Sequence, residues 1–410
     1  MLIPMEGVES VATSVMVSVG SRYETQAING VSHFLEHMVF KGTKKYPTTD
    51  DVNFIERMGG LQNAYTDIDI TNYHNKVIAA DWREALDVNK ELALHPLLEQ
   101  KHVDRERSVI LEEMKRYEDE PAIKVGETFH MMMYPGTPLG MEVIGTPEAL
   151  KASDAETLRT YHDRWYTPER TVVVLAGNIS KTVDTIKKQT EEWFASSSSS
   201  AAEEFKKVTE SQKEPNVEIV TKPDAQQAHL TLGVRLFARS SQERFAWSVF
   251  NLLFGVSFTS RLFREIREKR GLCYAIRSNA DTFADAGYWS IYAGVATDRV
   301  TEAVGAIVEE LKKVVNDGVS EEEVVIAKKR LTTMVTFRSE DPEFMNEWYG
   351  RQELYRDDIV TLPEYLKKIA AVTREEIDAL VRKYIITDHM NLALVWKKPE
   401  DGNLKKLLTL

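Results

Sequence analysis

A chain of 410 residues is long enough for about two domains, each with its own buried core. Its 43% hydrophobic and 28% charged residues describe an ordinary globular protein, and the net charge of −12 argues against a role in binding nucleic acid. The one cysteine, Cys273, excludes an internal disulfide framework and a cysteine-built metal cluster.

No stretch approaches the roughly 20 apolar residues of a membrane span. The start, Met1-Leu2-Ile3-Pro4-Met5-Glu6, lacks the basic and long apolar regions of a signal peptide, so a cytoplasmic location is expected. Val11 to Val19 alternates loosely, with Val15, Val17 and Val19 on one face, and reads as a strand. A turn ending in Asn29-Gly30 leads into a helix that carries His33-Phe34-Leu35-Glu36-His37 and stops near Gly42.

Residues four apart on a helix stand one above the other, so His33 and His37 can direct two imidazoles at one metal ion. Glu36 borders the same face, within reach of a water on that ion. The order His-x-x-Glu-His is the inverse of the more familiar zinc-peptidase motif. At this composition it arises by chance on the order of 3% of the time, so five residues alone leave an ordinary amphipathic helix as the alternative.

Thr48-Thr49-Asp50-Asp51 is a start signal for a helix from Val52 to Met58, closed by Gly59-Gly60. Leu61 to Thr66 and Ile70 to Ile78 read as strands around Asp67-Ile68-Asp69. A free edge there could hold an extended peptide, or the pair could be a plain hairpin. Helices are expected over Asp81 to Leu94 and Gln100 to Glu118. In the latter, Val103, Ile110, Met114 and Tyr117 mark the inner face, and Glu106 and Glu113 stand two turns apart on nearly one line. A carboxylate against an inner stripe needs a partner, and a cation would supply it; the alternative is an ordinary solvated helix face, unless this helix packs against the one carrying His33 and His37. A helix Ser153 to Trp165, a buried strand Arg170 to Gly177 and a helix Ser180 to Phe194 complete the first half.

Five serines, Ser196 to Ser200, begin a polar connection, and the domain boundary is placed over 196–215, between domains 1–195 and 216–410. The second half repeats the order of the first. A strand, His229 to Phe237, precedes helices Gln242 to Phe254 and Ser260 to Lys269. Paired strands, Cys273 to Asn279 and Gly287 to Val295, precede helices Asp298 to Val314 and Glu321 to Arg338. A final helix, Arg374 to Tyr384, and a strand, Met390 to Val395, match the end of the first half. The chain therefore reads as a duplicated unit in which only the first copy holds ligand-type residues. Where the first has His33 and His37, the second has Asn251-Leu252-Leu253-Phe254.

With these residues in view the chain resembles the pitrilysin-like M16 metallopeptidases, in the subfamily (M16B) of the mitochondrial processing peptidase β subunit and its bacterial homologues. The resemblance is carried by His33-Phe34-Leu35-Glu36-His37 with Lys41-Gly42-Thr43, Gly59-Gly60-x-x-Asn63-Ala64 and Glu106-x-x-Val109-Ile110-x-x-Glu113-Met114. In the second half it is carried by Ser260-Arg261-Leu262-Phe263, Arg267-Glu268-Lys269-Arg270-Gly271-Leu272 and Tyr274. It implies an α+β fold of two homologous domains, each a mixed, mostly antiparallel sheet packed with helices. It implies one Zn²⁺ per chain on His33, His37 and Glu113, with Glu36 as general base and Glu106 orienting the site. Asn63 and Ala64 would pair with the substrate backbone, and Arg267 and Tyr274 would meet substrate or the tetrahedral intermediate.

The implied activity is cleavage of unfolded or short peptides in a clamshell of two chains, where Arg267 and Tyr274 act on the partner's zinc. A homodimer is expected, since one chain carries both halves of such a site. The competing readings are a non-catalytic scaffold subunit and an active subunit paired with an inactive paralogue. The sequence departs from the family in its short run before the first strand. Gly255-Val256-Ser257-Phe258-Thr259 holds only one glycine, which argues against the family's glycine-rich regulatory subunit. No organelle-targeting segment is visible, so a mitochondrial role is not expected.

Overall fold

The computed structural model describes residues 1–195, 205, 207–209, 211–355, 358–398 and 403–410. The first sheet comprises β1 (Leu2–Pro4), β2 (Ser10–Val17), β3 (Leu61–Thr66), β4 (Thr71–Ile78) and β5 (Thr171–Gly177). Their order is β1-β5-β2-β4-β3, so β3 is an edge strand. β1 runs parallel to β5, and the remaining pairs are antiparallel. The fold class is α+β, as the sequence leads one to expect.

The sequence pattern of β2 anticipates one apolar face, yet Val11 through Val17 are all buried. Adjacent hydroxyls explain this, because they point to opposite sides and each meets a different helix. Thr13 Oγ1 donates to Asn75 Oδ1 (2.7 Å) and accepts from Asn89 Nδ2 (2.9 Å). Ser14 Oγ donates to Asn346 Oδ1 (2.6 Å). Asn89 lies on a helix that packs on β2 and β4, and Asn346 on one that packs on β2 and β5. A strand covered on both faces loses its clean alternation.

Among the helices that build the candidate site or cover the sheets are α1 (Val31–Val39), α2 (Trp82–Leu94), α3 (Gln100–Asp119), α4 (Pro121–Met133) and α5 (Pro342–Leu354). The register of β3 on β4 puts Gln62, Ala64 and Thr66 on the face of Asn75 and α2, the face that α1 also contacts. Leu61, Asn63 and Tyr65 turn to the opposite face, where the Tyr65 hydroxyl donates to Glu347 of α5 (2.5 Å).

The second sheet comprises β6 (Asn216–Thr221), β7 (Gln227–Leu236), β8 (Cys273–Thr282), β9 (Gly287–Ala296) and β10 (Asn391–Trp396). Its order, β6-β10-β7-β9-β8, reproduces the first sheet strand for strand, with β6 again parallel to β10 and the other pairs antiparallel. The duplication is thus visible in topology as well as in element order.

The two compact units are not consecutive in sequence. One consists of Met1–Met114, Met141–Lys206 and Thr336–Thr361, the other of Lys115–Gly140, Lys207–Val335 and Leu362–Leu410. Each unit thereby receives a helix from the opposite half of the chain. α4 packs on β6, β7 and β10 of the second sheet, and α5 packs on β2 and β5 of the first. Both helices have 13 residues and begin with a proline after an acidic residue, Glu120-Pro121 and Asp341-Pro342. A division into 1–195 and 216–410 does not contain this exchange. Of the proposed linker 196–215, residues 196–204, 206 and 210 lie outside the described residues.

Other differences are local. The helix expected over Val52 to Met58 is two short ones, Thr49–Val52 and Phe54–Arg57, the first closed by a reciprocal Thr48–Asp51 cap. The helix expected from Ser180 to Phe194 runs Val183–Trp193. Leu252–Val256 and Phe263–Lys269 are wound with the wider π turn. β1, β6, α4 and α5 go beyond the sequence expectations. No helix among the described residues is long and apolar enough to cross a membrane.

Candidate metal centre

α1 begins at Gly30, whose φ of 96° lies in the left-handed region. A side chain there would also strike the Ile144 carbonyl at 2.6 Å, so both conformation and space require glycine. The helix then lacks a capping side chain of its own. The buried Glu24 carboxylate takes that place, accepting from the Gly30 N–H (2.6 Å), the Ser32 N–H (2.8 Å) and Asn29 Nδ2 (2.9 Å). Burial raises the Glu24 pKa to about 7, against the bonds from Gly30, Ser32 and Asn29, which together with the positive end of the helix dipole favour its charged form. Val31, Phe34, Leu35, Met38 and Val39 turn inward. His33, Glu36 and His37 are left on the half-buried face.

α3 supplies the opposing side. Val103, Ile110 and Met114 bury its inner stripe, as its pattern predicts, and this places Glu106 and Glu113 against the α1 histidines. His37 Nε2 and His33 Nε2 lie 3.5 and 3.9 Å from the same oxygen, Glu113 Oε2. The two imidazole rings are 4.7 Å apart, and one ligand atom from each of His33, His37 and Glu113 lies within 4.8 Å of the others. Ligand atoms about 2.0–2.1 Å from a tetrahedral zinc stand about 3.3 Å from one another, so this spacing and donor set fit such an ion with little adjustment. No other group of three such side chains converges among the described residues.

The electrostatics agree with a ligand role. Burial, then the neighbouring His37, lowers the His33 pKa to about 4 against the opposing pull of Glu113. His33 is therefore neutral at physiological pH, the form that can donate a lone pair. Glu36 lies beside the cluster and accepts a 2.6 Å bond from Thr66 Oγ1. Burial raises the Glu36 carboxyl above its usual range, with the Thr66 bond opposing. On the far side, Glu106 Oε2 lies 3.5 Å from His37 Nδ1, and Glu106 Oε1 lies 2.9 Å from Lys41 Nζ.

The edge strand β3 borders this cluster. Ala64 is buried on the α1 side, and its N–H is met by the Oδ1 of the exposed Asn63 (2.9 Å). Arg267 and Tyr274 belong to the second compact unit. Both are exposed there, Tyr274 to 71%, and the Arg267 guanidinium rests 4.9 Å above the Phe263 ring. Cys273 pairs with Val295 and Ala275 with Gly294, so Tyr274 is the extra residue of a β-bulge. Bulges re-aim side chains, and this one turns Tyr274 out to solvent while Cys273 stays buried.

The structure thus brings together His33, Glu36, His37, Glu106 and Glu113 around one point, with Ala64 on the adjoining strand. Two contributors, Thr66 and Lys41, are additions to the sequence reading. Lys41 had a visible signal, since it continues the four-residue interval of His33 and His37. Thr66 stands two residues beyond Ala64, hence on the same face of β3.

Known proteins resemble the chain over most of its length. The family model described as insulinase (peptidase family M16) matches residues 2–147, and that of the peptidase M16 inactive domain matches residues 153–331. The uncharacterized zinc protease YmxG of Bacillus subtilis is 33% identical over 390 residues, covering 95% of this chain and 93% of its own. The uncharacterized zinc protease ML0855 of Mycobacterium leprae is 35% identical over 384 residues, covering 93% and 86%. Among solved structures, a protease from Helicobacter pylori superposes with a TM-score of 0.90 at 21% identity, over 97% of this chain and 96% of that one. The periplasmic protease PqqL of Escherichia coli gives a TM-score of 0.80 at 20% identity, over all of this chain but 48% of that longer one.

Proposed function

The chain belongs to peptidase family M16, the insulinase family, and from that premise we propose that it is a zinc-dependent endopeptidase acting on short or unfolded peptides. The observation that carries the proposal is the convergence of His33, His37 and Glu113 beside a half-buried, hydroxyl-held Glu36. His33, His37 and Glu113 would hold a zinc ion through two nitrogens and one carboxylate, a three-residue donor set of the kind found in catalytic rather than structural sites. Zinc held there would polarise the scissile carbonyl and lower the pKa of an attacking water to roughly 7.

Glu36 is placed to accept a proton from an attacking water and to pass it to the leaving amine. Its raised pKa makes it a better acceptor than an ordinary carboxylate, and Thr66 keeps one oxygen fixed so that the other can face the water. Glu106 holds His37 in the tautomer that presents Nε2 to the metal. The free edge of β3 at Asn63 and Ala64 receives the peptide backbone as an added strand. Arg267 and Tyr274 supply positive charge and a hydroxyl for the developing oxyanion. We assign these two to a second copy of the chain, so that a homodimer completes two equivalent sites. Their exposure, and the bulge that turns Tyr274 outward, support that assignment.

Glu36→Gln tests the mechanism. It keeps the shape of the side chain and all three metal ligands, so bound zinc stays at one per chain. Cleavage of a peptide library, followed by mass spectrometry, falls at least 100-fold, the scale of lost general-base catalysis. Full cleavage by this variant would remove Glu36 from the mechanism.

A further inference from the structure

The two histidines are not held alike. His33 Nδ1 is buried and has no hydrogen-bond partner. His37 Nδ1 faces Glu106, whose side chain is 6% exposed and whose two oxygens have different neighbours. Oε2 lies 3.5 Å from His37, while Oε1 lies 2.9 Å from Lys41 Nζ. His37 Nε2 in turn lies 3.5 Å from Glu113 Oε2. The side chains therefore form one file, Lys41–Glu106–His37–Glu113, which enters the metal cluster through a single imidazole.

We propose that Lys41 is a positioning residue for the metal centre, acting through Glu106 on the orientation of His37. The proposal rests on the zinc-site reading and deepens it. The ammonium anchors one oxygen of the carboxylate. The second oxygen then stands opposite His37 Nδ1, which fixes the hydrogen on that nitrogen and leaves Nε2 as the lone-pair donor. Such support reduces the ordering that metal binding must impose, and carboxylates behind ligating histidines are typically worth 10–100-fold in metal affinity or activity. Lys41 lies just beyond the end of α1 with its side chain 25% exposed, so removing its charge leaves the core packing of α1 untouched.

The test is the zinc dissociation constant of the purified full-length protein, measured by competition with a chromophoric chelator for parent, Lys41→Met, Lys41→Arg, Glu106→Gln and Lys41→Met/Glu106→Gln. Lys41→Met binds zinc about 10–100-fold more weakly. Lys41→Arg, which restores the cation, returns to within a few-fold of the parent. The double variant binds no more weakly than Glu106→Gln alone, because the proposal has Lys41 act on the metal site through Glu106. Zinc-saturated Lys41→Met keeps its KM and loses kcat. Parent-like zinc affinity in Lys41→Met overturns the proposal, as do losses that add in the double variant. The affinity readout does not depend on cleavage. Failure of the peptidase reading, seen as full activity in Glu36→Gln, is therefore distinguishable from failure of this one.

Discussion

His33, His37 and Lys41 follow one another at intervals of four, so a single stripe of α1 and its exit turn carries two ligands and the cation behind them. The histidine pair was legible because a four-residue interval has one geometric meaning on a helix. Glu113 was legible only once α3 was placed against α1, since an acidic residue on a charged helix usually faces water. Thr66 has no signature at all, because a threonine in a strand is ordinary until the neighbour of its hydroxyl is known. Cys273 shows the same limit from the other side. Its presence as the sole cysteine excluded disulfides, but its state depends on the bulge that keeps it inside while Tyr274 turns out. Burial raises the Cys273 thiol to about 11, with Arg267 pulling weakly downward. A raised pKa favours the neutral thiol, so about 0.1% is thiolate at pH 8, against about a quarter for an unperturbed cysteine. A chromogenic disulfide reagent will thus react slowly with the native protein at pH 8, and about tenfold faster per pH unit upward until the fold fails. Denaturant-exposed thiol will react at once. A native rate equal to the denatured rate at pH 8 contradicts this environment.

At the scale of elements, the strands other than β1 and β6, and α1 to α3, were readable while α5 was not, and its inner face explains why. The buried residues of α5 are Pro342, Asn346, Gly350 and Leu354, a regular four-residue stripe in which only the last is a large aliphatic residue. Hydrophobic periodicity cannot find a helix whose buried side is proline, asparagine and glycine. Each of these has a task against the sheet. Asn346 is 2% exposed, accepts from Ser14 Oγ, and donates to the carbonyls of Ala12 (3.0 Å) and Val174 (3.1 Å), thereby clasping β2 and β5. A side chain at Gly350 would meet Met16 at 2.7 Å and Val174 at 2.9 Å, so its absence sets how closely α5 lies. Asn346→Ala strips three hydrogen bonds from buried groups and is expected to lower unfolding stability by about 2 kcal/mol. Gly350→Ala overpacks the contact and is expected to lower it by about 1 kcal/mol, Met16 yielding more easily than the branched Val174. Denaturant midpoints monitored by far-ultraviolet circular dichroism check both values. A midpoint for Asn346→Ala equal to that of the parent means that α5 is held by other contacts.

At the scale of the whole chain, the exchange of α4 and α5 changes what the duplication means. Two copies joined by a serine-rich stretch suggest two domains consecutive in sequence, and that is how the sequence reads. The units instead interleave, since residues 115–140 belong with the second sheet and residues 336–361 with the first. Each half of the sequence lacks the helix that covers one face of its own sheet. Without α5, the outer face of β2 and β5 loses its lid over Met16 and Val174, and Ser14 Oγ loses its acceptor. Without α4, the second sheet loses Phe129, which is 1% exposed and stands edge-on to Tyr288 (5.5 Å). A sheet with an uncovered apolar face is an association surface rather than a stable domain. Residues 1–195 expressed alone should therefore aggregate or remain without a cooperative unfolding transition, although they include every proposed metal ligand. Co-expression of residues 1–195 with residues 205–410 should yield a soluble complex, because each fragment brings the helix that the other lacks. Zinc content of the co-purified complex should then return to one per pair of fragments, while an inverted pairing, two copies of 1–195 alone, should not bind zinc tightly. A soluble, cooperatively folded 1–195 fragment with tightly bound zinc would mean that the exchange is incidental and that the metal centre is assembled by the first half unaided.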